Sequence, residues 1–200
     1  MTKGDDTKEL ILQRAMELAS AVGFEGLSLS QLATEVHMSK SGLFAHFDSK
    51  EDLLQQSLGT ARERFVQAVF APAVARPRGE PRLRELFSRW LAWEKGSVAP
   101  GGCPLVMATV EYDDRPGPVR DAIVAIQREL VDALAKAARL AVDAGHFRSD
   151  LDTHQFAFEL HGIVLAFHHS FRLFRDEAAE PRAHAAFEDL LERSRPDNHD

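Results

Sequence analysis

Three histidines, His154, His161 and His168, recur at intervals of seven residues near the end of the chain. In a helix, that spacing sets neighbours about 10 Å apart along the axis, at a rise of 1.5 Å per residue. A metal ion gripped by two histidines of one helix needs an i, i+4 pair, so no metal site is expected here. An interval of seven suits a seam between helices instead. The lone cysteine, Cys103, lies between a Gly-Gly pair and Pro104. It has no second cysteine to resolve a sulfenate and no lysine or histidine alongside to lower its pKa. A single cysteine also excludes an internal disulfide framework and a cysteine-based zinc site. Asp113 and Asp114 adjoin in a turn-like stretch without a convergent nucleophile or base. These groups do not assemble a catalytic set. No enzyme activity and no cofactor is expected, and a helical enzyme is the weakest of the readings.

The stretch with a coherent chemical use runs from Ser28 to Leu54. Ser28 precedes Gln31 by three, the capping-box spacing of a helix start. Leu29, Leu32, Ala33 and Val36 then recur at helical spacing. His37-Met38 interrupts the pattern, and Ser39 can cap a second short helix whose apolar members are Leu43, Phe44 and Phe47. Asp48 and Glu51 repeat the capping-box spacing and open a third helix. Two short helices joined by a tight turn make the geometry that lays the second helix in the major groove of DNA.

The rest of the chain supplies helices to position that pair. A first helix near 6–22 is expected to be capped by Asp6 with Glu9 and to bury Ile11, Ala15, Leu18, Ala19 and Val22. It forms a small core with helices near 29–36 and 40–47, and such a unit is too small to be strongly stable alone. A longer helix from 49 should stop before Pro72. Further helices are expected near 81–95, 105–112, 119–144, 151–175 and 181–193, with 96–104 irregular and a disordered tail from 194 to 200. The fold class is therefore all-α: an N-terminal three-helix DNA-binding unit (1–50), a connecting helix (49–71) and a larger helical domain (72–200).

Composition sets outer bounds. The 200 residues are 44% apolar and 28% charged, ordinary for a chain that buries a core. The first ten residues lack an apolar signal segment, and the most apolar window, 156–174, carries Glu159, His161, His168, His169 and Arg172. Neither a secretory signal nor a membrane span is expected, which points to the cytoplasm. Net charge is −7, and the first fifty residues hold five Lys/Arg against seven Asp/Glu. DNA would be held through a few placed groups, not a basic blanket.

The order Gly26-Leu27-Ser28, Leu32-Ala33, Met38-Ser39-Lys40-Ser41-Gly42-Leu43-Phe44-Ala45-His46-Phe47 and Ser49-Lys50-Glu51 resembles the DNA-binding domain of tetracycline-repressor (TetR) family regulators. The resemblance covers about the first sixty residues. It implies a homodimer that binds a palindromic operator and is released when a small molecule binds the C-terminal domain. By the same resemblance, Ser28 and Ser30 meet phosphate, and Ser39, Lys40, Ser41 and Gly42 form the exposed start of the recognition helix. Lysine can donate to guanine O6 and N7 or to phosphate, and serine can serve either strand. A glycine inside a short helix is understandable where DNA must come close. Lys50, at a helix start, could hold a phosphate oxygen together with backbone N–H groups. His46 is a further candidate contact. Two departures stand out: Phe44 lacks the hydroxyl of the family's frequent tyrosine, and His37 replaces a common glycine at the turn.

In the larger domain, aromatic residues are frequent, and most are expected in the core. Trp90, Trp93, Cys103, Met107, Tyr112, His161 and His168 are the candidates for an apolar effector pocket with a few polar groups. The resemblance places the dimer interface on the last two helices. The alternative is a constitutive DNA-binding protein without a ligand, though the basic surface such a protein needs is missing.

Overall fold

A computed structural model of the chain describes residues 3–96 and 101–196. Its helices are α1 (Lys3–Val22), α2 (Leu29–Glu35), α3 (Lys40–Phe44), α4 (Lys50–Phe65), α5 (Ala71–Val74), α6 (Glu80–Glu94), α7 (Pro104–Tyr112), α8 (Pro118–Asp143), α9 (Thr153–Arg172) and α10 (Ala179–Ser194). The all-α expectation holds, with no strand among the described residues. The helices group into two compact units, one of residues 1–65 with 96–126, the other of 66–95 with 127–200. This grouping differs from a simple division at residue 72, because the segment carrying α7 belongs with the N-terminal helices.

In the first unit, α1 buries Ile11, Ala15, Met16 and Ala19 against α2, α4 and α7. It begins upstream of the expected Asp6 cap, because no proline stops the hydrogen-bond ladder from extending toward the N-terminus. Val22, expected in the stripe, is 53% exposed. The chain turns at Gly23 (φ 84°), and Phe24 fills the core position in its place.

The two motif helices are set by local chemistry. Ser28 Oγ accepts from the Gln31 N–H at 3.3 Å, but the Gln31 amide turns to Glu35, so the capping box is only half formed. His37 takes φ 55°, with its N–H on the Thr34 carbonyl and the Met38 N–H on the Ala33 carbonyl. This is a Schellman ending with histidine in glycine's usual place. Ser39 Oγ then accepts from the Gly42 N–H at 3.0 Å and starts α3. The third cap lies one residue later than the Asp48–Glu51 spacing suggested. Ser49 Oγ accepts from the Asp52 N–H, and Asp52 Oδ2 accepts from the Asp48 N–H. Farther along, the Gly101 N–H donates to Ser20 Oγ at 3.1 Å, and a Cβ at 101 would lie 1.5 Å from the Ser20 carbonyl oxygen. Only glycine permits that approach.

The α-helix from Lys50 ends at Phe65, but the helical path runs on past Pro72. A π-helical turn at Val66–Phe70 intervenes, and Pro72 falls in the first turn of α5. A proline's missing N–H has no helical partner to lose at a first turn. In the second unit, α6 and α10 are joined by the stacked rings of Phe87 and Phe187, 4.0 Å between centroids, and by Arg84 paired in two-point fashion with Glu188 at 2.5 and 2.8 Å. Phe147 and Phe156 meet at 5.4 Å. Most aromatic residues of the larger domain are expected in the core, but Phe158 and Phe174 are exposed, at 73% and 69%. The expected tail also begins later than 194. Ser194 is buried, its carbonyl accepts from the Arg148 N–H, and Arg195 pairs with Glu80. Residues 97–100 of the expected irregular run and 197–200 of the expected tail lie outside the described residues.

Candidate nucleic-acid interface and effector cluster

The caps determine what the motif presents. Leu43 and Phe47 are buried, which turns Lys40, Ser41, Phe44 and Ala45 outward, with Phe44 38% exposed. Ser28, Ser30 and Ser39 are exposed as well, and Gly42 and His46 are half-buried. Much of the polar complement is already used within the unit. Ser28 and Ser39 cap helices, Ser41 Oγ lies 3.1 Å from Ser39 Oγ, and the Ser30 carbonyl accepts from Thr34. The Lys50 ammonium donates to the Glu25 carbonyl at 3.0 Å, so it is aimed at the protein and not at solvent. Lys40 makes no such bond among the described contacts. It is the cation left to act outward from the recognition helix.

Sequence reasoning missed the group that steadies this platform. Glu111, on α7, accepts from the Phe24 N–H at 2.7 Å and the Glu25 N–H at 2.8 Å. The neighbouring Tyr112 hydroxyl donates to Glu25 Oε1 at 2.7 Å. Burial, and then the Glu25 carboxylate, hold that phenol well above its ordinary pKa, so it remains a donor. Tyr112 was expected in an effector pocket, but its polar atom is committed to the α1–α2 loop. Cys103, the residue before α7, is buried, and Met107 lies half-buried on the same helix in the same unit.

The other effector candidates lie in the second unit. Trp90 and Trp93 are buried on α6. The Trp90 ring stacks on His161 with centroids 5.8 Å apart, and its indole N–H donates to Glu94 Oε1 at 3.3 Å. Glu94 is 0% exposed, and its Oε2 lies 2.6 Å from His168 Nδ1. A carboxylate can only accept, so Nδ1 carries the hydrogen. Glu94 therefore joins Trp90 to His168 while standing beside His161, yet no motif singled it out. Its signal was a lone carboxylate at helical spacing from Phe87, Trp90 and Leu91. His154, the third member of the series, is exposed. No group of three or more histidine, cysteine or acidic side chains suited to a metal occurs among the described residues.

Burial pushes the His161 pKa below its ordinary value, and Glu94 offsets this only in part. The unfolded chain thus takes up a proton near pH 6.5 that the folded protein resists. Stability is fully present above that pH and falls as pH drops from there toward the lower folded value. Denaturation midpoints measured between pH 8 and 5.5 should decline less steeply for His161→Gln than for the parent chain.

Residues 79–187 match the family model described as tetracyclin repressor-like, C-terminal domain. Residues 11–56 match that of bacterial regulatory proteins, tetR family. The chain belongs to the TetR family. Among TetR-family structures, a transcriptional regulator from Cytophaga hutchinsonii superposes with a TM-score of 0.88 over 98% of both chains at 22% identity. AibR, determined in complex with isovaleryl coenzyme A and operator DNA, superposes with a TM-score of 0.74 over 92% of this chain and 98% of that one at 25% identity. A curated relative, the biofilm operon icaADBC HTH-type negative transcriptional regulator IcaR of Staphylococcus aureus, is 37% identical over 51 residues. That match covers 26% of this chain and 27% of IcaR. None of the described helices is long and apolar enough to cross a membrane.

Proposed function

We propose that the protein is a ligand-responsive transcriptional repressor, binding a palindromic operator as a homodimer in the cytoplasm. The observation that carries this reading is the outward face of α3, where a capped, buried-on-one-side helix leaves Lys40 and Phe44 pointing into solvent. Two copies of that helix, one per half-site, would sit a helical turn or a multiple apart. Ser28 and Ser30 would meet phosphate, and His46 the adjoining backbone. Lys50 would join them only by leaving the Glu25 carbonyl. Repression, in preference to activation, is supported by the negative regulator IcaR.

The dimer would form on α9 and α10. Those helices flank a groove of about 560 Å³ with Gly162, Ala166, Ala183 and Ala186 along it. Phe158 and Leu165 on α9, and Leu173 and Phe174 just beyond it, leave apolar area exposed. A small, largely apolar effector would bind in the C-terminal region, using Trp90, Trp93, His161 and His168 with Glu94 as the polar anchor. AibR, crystallised with an acyl coenzyme A, supports a ligand-binding role for this fold. Release follows if the ligand prefers a dimer state whose two α3 helices no longer match the operator.

The test is selection of bound sequences from randomised duplex DNA by the full-length protein, followed by a thermal-shift screen of metabolites. Enrichment of a two-fold symmetric site, and a compound that both raises the melting temperature and releases that DNA, are the expected results. Failure to enrich any sequence overturns the reading. Symmetric DNA binding that no compound reverses favours the constitutive alternative.

A further inference from the structure

The exposed face of α3 is unusually poor in polar groups for a surface that must recognise bases. Ser39 and Ser41 are held to each other at 3.1 Å, and Ser39 also caps Gly42. Gly42 and Ala45 offer no polar side-chain atom, and Leu43 and Phe47 are buried. Beside the Ser41 hydroxyl, which already bonds Ser39, the outward groups are one ammonium, Lys40, and one phenyl ring, Phe44, 38% exposed. A phenyl ring cannot donate to phosphate. In the major groove, the base feature that suits it is the 5-methyl group of thymine.

We infer that Phe44 reads the 5-methyl group of a thymine about two base pairs from the base contacted by Lys40. The inference rests on the DNA-binding reading above. Residues four apart in a helix share a face and are separated by about 6 Å along the axis. Base pairs rise about 3.4 Å each, so two contacts 6 Å apart span about two steps. A lysine suits guanine O6 and N7, which makes the half-site a guanine and a thymine separated by about one intervening pair. Ala45, exposed beside Phe44, adds a second methyl-sized surface and no competing donor.

The test uses the full-length protein and the operator obtained by selection, with thymines replaced one at a time by deoxyuridine. That change removes one methyl group and leaves every hydrogen-bonding atom in place. One thymine in each half-site, about two pairs from a guanine, should weaken binding about fourfold when changed singly and about fifteenfold when changed in both half-sites. Phe44→Ala should bind the thymine and deoxyuridine operators equally. Phe44→Leu, which keeps an apolar tip, should retain part of the preference. The inference fails if no thymine methyl affects binding, as when Phe44 rests on deoxyribose, or if the penalty persists in Phe44→Ala. If no DNA is bound at all, the regulator reading itself fails, and that outcome is distinct from deoxyuridine-insensitive binding.

Discussion

Glu94→Ala should lower the unfolding free energy by about 3–5 kcal/mol, from two buried donors that lose their acceptor, at about 1–3 kcal/mol each, and from the cavity left behind. For a chain of this size, that corresponds to a fall in melting temperature of about 10 °C. The reason is geometric. Glu94 is 0% exposed and receives both the Trp90 indole N–H and the His168 Nδ1–H. Alanine leaves two buried donors without an acceptor and opens a cavity among Leu91, Trp90 and their neighbours. Glu94→Gln keeps an acceptor oxygen but brings an amide donor toward one of the two donors, so an intermediate loss is expected. The double change Glu94→Leu with His168→Leu removes the carboxylate and the imidazole together, while the Trp90 N–H still loses this acceptor, and should recover part of the loss of the single variant. A thermal or chemical denaturation series on these three variants decides it. A Glu94→Ala chain as stable as the parent would show that water reaches this site freely.

Lys40→Ala should have the largest effect on function with almost none on stability. Lys40 is exposed, so its removal should change the unfolding free energy by no more than about 0.5 kcal/mol. A good base contact contributes about 1–3 kcal/mol, and a dimer makes it twice, so operator affinity should fall about thirtyfold or more. The loss is large because little else compensates. The chain carries a net charge of −7, and Lys50 is tied to the Glu25 carbonyl. Titrations at several salt concentrations identify the contact. Loss of preference at one base pair identifies guanine, whereas uniform weakening with a shallower salt dependence identifies phosphate. Unchanged operator binding by Lys40→Ala would remove α3 from the recognition surface.

The features legible in the sequence were those that neighbouring residues decide. Ser28, His37 and Ser39 could be placed because a cap or a positive-φ turn involves residues two to five apart. The cap at the start of α4 slipped by one residue because Asp48, Ser49, Glu51 and Asp52 offer two overlapping pairings, and only the packing of Leu53 and Leu54 chooses between them. Pro72 does not end the helical path because it falls in the first turn of α5, where its missing N–H costs no helical bond. Phe158 and Phe174 escape the core expected for most aromatic residues of the larger domain, because hydrophobicity reports that a face is covered by something, not that this chain covers it. Glu94 left a faint trace as a carboxylate on an apolar face. Glu111 left none, since its two acceptor bonds join residues 86 and 87 positions apart.

That separation bears on how the protein is made. The α1–α2 loop leaves the ribosome with its Phe24 and Glu25 N–H groups uncapped, and Glu111 is added only after α4 is complete. At 5–20 residues per second, the interval from Phe65 to Glu111 lasts about 2–9 s. A nascent or truncated chain ending at Phe65 therefore holds both motif helices but not the carboxylate that fastens the loop before them. Chimeras that transplant the reading head of this regulator should be cut to carry residues 96–126 with it.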